Sequence, residues 1–173
     1  MQKNSLPTLR TREPAWDELP PDPLDDPDLY DGISLRRVLA YLIDLMAIGV
    51  LWIAAWFGLS FLAAVSLGLL LPFKIFALAV LPLTYHTFFI GRNGGTPGMR
   101  LLDVEVRTWD GAPPNYVQAF LHTVMFYASV SLTAWIILIM VFFDDRRRTL
   151  HDMLAGMVCL RHSRLAAPGL QTA

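Results

Sequence analysis

Between Arg37 and Arg92 the chain carries only two formal charges, Asp44 and Lys74, in otherwise apolar sequence. A carboxylate two turns inside a membrane helix costs a few kcal/mol to insert, so Asp44 is expected to face protein or water and to have a partner. Arg37 is the obvious choice. Seven helical residues separate the two by about 10 Å of rise at nearly the same azimuth, with Tyr41 on the face between them. That is long for direct contact, so a polar group from another segment is expected to bridge the two charges. His86 and His122 lie in later apolar segments. As neutral imidazoles they hydrogen-bond across helices, and as proton carriers they titrate near neutral pH. Two readings follow: Arg37, Tyr41 and Asp44 register the first helix against its neighbours, or they join His86 and His122 in a proton or ion relay. No two of Asp44, His86 and His122 stand at ligand spacing, and no metal is expected.

Catalysis finds little support. His151-Asp152 lacks the second, distant histidine and aspartate of a metal-dependent phosphohydrolase. GGTPGMR at residues 94–100 has the glycines of a phosphate loop without its Lys-Ser/Thr end, and is expected to be a tight turn at the membrane face. The sequence has neither a serine in a nucleophile elbow nor a Cys/His pair arranged for covalent catalysis. The expectation is a protein that is not an enzyme and uses no cofactor.

The elements that must hold these side chains follow from how apolar the chain is. Of 173 residues 54% are hydrophobic, and the mean hydropathy is +0.44, too high for an ordinary soluble domain. A net charge of −1 gives no basic field for nucleic acid, and one cysteine, Cys159, has no disulfide partner. Residues 38–71 hold a single charge, well beyond the ~20 residues needed to cross a bilayer. The sequence predicts membrane segments at about 35–59, 73–90 and 116–143, the first two forming a hairpin. Gly68 and Pro72 break the chain between them, and Pro82 kinks the second. Alternation of Leu102, Val104 and Val106 with Asp103, Glu105 and Arg107 predicts a strand within 101–108, with Met157–Arg161 as another. Residues 1–32 hold eight of the fifteen acidic residues and six of the twelve prolines, the composition of a disordered tail. The alternative there is a docking motif around Trp16, Leu24 and Tyr30. Residues 163–173 form a second tail.

Arginine clusters at 36–37, 92–107 and 146–164 all favour the cytosol, which predicts a cytosolic amino terminus. The count also favours a re-entrant hairpin over 116–143, bent near Ser129, Ser131 and Thr133, whereas its length favours a single crossing.

Three blocks, SLRRVLAYLIDLM, GGTPGMRLLDVEV with DGAPP, and DDRRRTLHDMLAGMVCLR, resemble in order and spacing those of the RDD family of bacterial membrane proteins, over residues 32–161. The resemblance implies a multi-pass protein in which Arg37, Asp44 and Asp152 are the family's named charges, with transport proposed for some members. His122 stands where relatives often carry an arginine. The expected fold is thus all-α and integral to the membrane, a helical hairpin plus a third apolar segment, with a small β element at the cytosolic face. Two functions remain open: a small ion or solute transporter subunit of the inner membrane, or a non-catalytic accessory subunit of a larger membrane complex. Its partners are then the lipid bilayer and further copies or other subunits, not nucleic acid.

Overall fold

The computed structural model describes residues 20–21, 23–133, 152 and 155–165. In chain order these form a 3-10 turn η1 (Pro27–Leu29), α1 (Ile33–Val65), α2 (Leu71–Asn93), α3 (Pro97–Leu101), β1 (Val104–Thr108), α4 (Tyr116–Thr133), β2 (Met157–Arg161) and α5 (His162–Leu165). Among the described residues, α1 and α2 are long and apolar enough to cross a membrane.

Both helices exceed the segments expected from hydropathy, 35–59 and 73–90. At 33 residues α1 is about 50 Å long, more than a ~30 Å hydrocarbon layer needs. Its first turns are held by protein contacts that hydropathy does not register: Ile33 and Ser34 are buried, and Arg36 donates to the Leu102 carbonyl at 2.9 Å. The helix ends where Leu67 (φ 52°) and Gly68 (φ 89°) turn left-handed, a region that glycine enters without a Cβ penalty. Pro72 breaks nothing. It sits in the first turn of α2, where its missing N–H has no helical acceptor to lose. Near this end of the hairpin Lys74 donates to Ser60 at 2.8 Å and lies 3.7 Å over the Trp56 ring, so the second charge of the apolar run is paired with a dipole and a π face.

Against α2 packs α4, opened by a reciprocal cap: Asn115 N donates to Gln118 Oε1 and Gln118 N to Asn115 Oδ1, both at 2.9 Å. Gly91 permits the approach, since a Cβ there would lie 2.6 Å from the Tyr116 ring. The helix runs through Ser129 and Ser131 to Thr133, the last described residue of this segment. Its expected continuation to residue 143 and the arginines at 146–148 lie outside the described residues, as does the choice between one crossing and a hairpin.

At one end of the bundle sits a small cap. Strands β1 and β2 pair antiparallel, Val104 opposite Arg161 and Thr108 opposite Met157. The strand begins at Val104 rather than at 101, because residues 97–101 coil into α3. Both faces of the sheet are covered. Ile33, Val104, Val106, Met157 and Cys159 cluster on one side, and Leu29, Tyr30, Val158, Leu160 and Leu165 on the other. This explains why β2 is apolar at four successive positions, and why Glu105 is only 7% exposed. The second cluster draws the end of the stretch read as a disordered tail into the fold: Leu29 and Tyr30 are buried, Tyr30 donates to the Pro21 carbonyl at 2.8 Å, and Asp28 meets Arg164 at 3.2 Å. Residues 1–19, with Trp16, lie outside the described residues.

Candidate functional site

The buried charges divide into two nodes. Asp44, 1% exposed, is held by neutral donors. Tyr85 from α2 donates its hydroxyl to Oδ1 at 2.9 Å, the Gly98 amide donates to the same oxygen at 2.9 Å, and the Thr96 hydroxyl donates to Oδ2. Local chemistry puts these donors there. Thr96 is the N-cap of α3 and its oxygen accepts from the Met99 amide at 3.2 Å, Pro97 has no N–H, and the Gly98 amide is the orphan donor left in that first turn. Asp44 therefore completes the cap of a helix far away in sequence. Gly98 makes the approach possible, because a Cβ there would stand 2.3 Å from the Ala40 carbonyl and 2.9 Å from the Asp44 carboxyl.

The second node joins Arg37 to Asp152 at 2.5 Å, with the Asp152 carboxylate wholly enclosed. His122 Nδ1 lies 3.7 Å from the other Asp152 oxygen. Arg37 and Asp44 are thus not partners, contrary to the helical-face expectation. A face argument built on one helix sees only what that helix carries, whereas the donors that reach Asp44 come from α2 and the 96–98 turn. Tyr41, expected between the charges, packs its ring 5.5 Å from Phe126 of α4. His86 hydrogen-bonds with the Tyr127 hydroxyl at 3.2 Å and with the Pro82 carbonyl at 3.0 Å, joining α2 to α4. Asp44 and His86 share Tyr85 as a neighbour, its hydroxyl on Asp44 and its ring 5.4 Å from the His86 ring, while His122 lies beside Asp152. Among the described residues no three His, Cys, Asp or Glu side chains converge as a metal would require.

Tyr85, Thr96 and Gly98 are absent from the residues singled out by sequence. A tyrosine inside an apolar helix is a signal, since its buried hydroxyl needs a partner, and so is a Thr-Pro-Gly helix start with an amide to spare.

The profile of the RDD family matches residues 34–156. The chain belongs to the RDD family. It is therefore a membrane protein of RDD type, and all three charges that the resemblance singled out, Arg37, Asp44 and Asp152, lie in these two nodes. No curated protein matches the chain, and no solved structure does.

The RDD cap is pinned in a similar way at its far edge. Asp103, at φ 62°, accepts from the Ser163 amide at 2.7 Å and hydroxyl at 2.6 Å and from Arg161 Nε at 3.2 Å. Partial burial pushes its carboxyl up, but these hydrogen bonds together outweigh it and hold the group below the usual carboxylate range. Like Asp44 at α3, Asp103 thereby satisfies an orphan amide of a short helix, α5. Burial pushes the Cys159 thiol up to about 12, which keeps it protonated and unreactive.

Proposed function

We propose that this RDD protein is a non-enzymatic, multi-pass component of the bacterial inner membrane, its amino terminus and cap on the cytosolic side, acting as an accessory or assembly subunit of a larger membrane complex. The observation that carries the reading is the closure of the Asp44 site. Three donors from two parts of the chain fill a carboxylate with no exposed surface to offer a solute. Charges used in this way lock a cap to helices. Large apolar side chains along α1 and α2 stay exposed, and an open apolar groove of ≈ 460 Å³, lined by Leu51, Phe76, Val80 and Phe88 among others, suits a neighbouring helix. A protonated thiol and the lack of a nucleophile arrangement in the sequence fit a chain without catalysis.

A second reading, a small ion or solute transporter subunit, draws on the half-buried His86–Tyr127 contact between α2 and α4, a titratable pair at membrane depth. So few helices leave little room for a pathway in one copy, so that reading requires oligomerisation. Measuring the mass of the detergent-solubilised particle and ion-coupled flux in vesicles separates the two. The accessory reading expects co-purification at fixed stoichiometry with another membrane protein, and Asp44→Asn that lowers thermal stability with no flux to abolish. A stable homo-oligomer with a flux that His86→Ala removes would overturn it.

A further inference from the structure

The arginines of the described chain sort by what they meet. Arg37, Arg107, Arg161 and Arg164, in the nodes and the cap, each lie within 4.0 Å of a carboxylate. Arg36 is half-buried and used on the Leu102 carbonyl. Arg92 and Arg100 are different: both are exposed, and among the described residues neither meets a carboxylate. They also stand at the same helix end. Arg100 Nη2 reaches back to the Asn93 carbonyl at 3.1 Å, at the last residue of α2, and Arg92 occupies the same last turn with its guanidinium 5.7 Å from the Phe88 ring. Capping the helix end uses one N–H of Arg100 and leaves further donors on two exposed guanidiniums.

What lies beside them decides the ligand. Phe88, beside Arg92, is 41% exposed and Leu101, next to Arg100, is 73% exposed, so each arginine has exposed apolar surface near it. A soluble anion gains nothing from that surface. A phospholipid uses both halves, its phosphate on the planar forks and its acyl chains along Phe88 and Leu101. We infer that Arg92 and Arg100 form a binding site for the headgroup phosphate of an anionic phospholipid at the junction of α2 and α3, seating the cap on the lipid surface. Nothing in this depends on which of the two functional readings holds.

The test titrates the full-length, detergent-solubilised protein with dioleoyl phosphatidylglycerol or dioleoyl phosphatidylcholine in mixed micelles, reading retained lipid by native mass spectrometry. Wild-type protein should retain the anionic lipid preferentially, and the preference should fall about fivefold for each of Arg92→Gln and Arg100→Gln, given the contribution of one basic side chain at an anionic surface. Arg161→Gln, which removes a guanidinium already paired with Asp103, should leave it unchanged. Circular dichroism of each variant checks that it is folded, and the single variants serve if the double variant is not recovered. Equal retention of the two lipids, an unchanged preference in Arg92→Gln/Arg100→Gln, or displacement of the lipid by millimolar inorganic phosphate would each overturn the proposal.

Discussion

A carboxylate in apolar surroundings can be matched by a cation or by fixed dipoles, and Asp44 takes the second course. Neutral donors have the advantage that no second charge must be desolvated with the first. The need for a partner was legible from Asp44 itself, because one charge in an apolar run is costly wherever it points. The identity of the partners was not, since they are an amide and two hydroxyls that carry no charge and lie 41 to 54 residues away. The arrangement rests on Gly98. Gly98→Ala drives a methyl group into the Ala40 carbonyl and the Asp44 carboxyl, so backbone must move apart and the donor set must open. Such overpacking should cost about 1–3 kcal/mol, read as a fall in the Tm of the solubilised protein. Gly58→Ala is the control, because a Cβ at Gly58 meets nothing within 4 Å, and it should hold or slightly raise Tm. Equal Tm values for the two variants would show that the close contact at Gly98 is not needed.

Among the elements, the hairpin and both strands were readable because each has one dominant signal, a long apolar run for α1 and α2 and the period of two for β1. Elements that hydropathy averages away were missed. η1 lies in acidic, proline-rich sequence, and two apolar side chains, Leu29 and Tyr30, are too few to lift a window average, yet they close one face of the sheet. α3 lies in a Gly-Thr-Pro-Gly stretch that reads as a turn, and it becomes a helix because its orphan donors find Thr96 and Asp44. The packing of η1 makes a sharp contrast between neighbours. Leu29 is 1% exposed and Leu24 is 91% exposed. Leu29→Ala should therefore destabilise the fold by about 2–4 kcal/mol, while Leu24→Ala should stay within about 0.5 kcal/mol of wild type. Thermal unfolding of both variants in one detergent compares them directly. A silent Leu29→Ala would return this segment to the status of a solvated tail.

On the scale of the molecule, two latches hold the cap to the helices, and they work at different depths. Asp44 ties α1 to α2 and α3, whereas Arg37 ties the start of α1 to Asp152, 115 residues along the chain, and so to the sequence that leads into β2. Because Arg37 and Asp44 draw on separate partners, their contributions should be independent even though they occupy one helical face, while Arg37 and Asp152 should behave as a unit. Double-mutant cycles in thermal stability measure this. Removing either member of the enclosed pair leaves an uncompensated charge, so Arg37→Gln and Asp152→Asn should each cost several kcal/mol. Combining them should recover at least about 1 kcal/mol relative to the sum. Arg37→Gln with Asp44→Asn should add to within about 0.5 kcal/mol. Strong coupling in that second cycle would mean that the latches share strain or a common polar group through α1, and the cap would then be held by one continuous network. Additivity would instead allow either latch to open while the other keeps the cap attached.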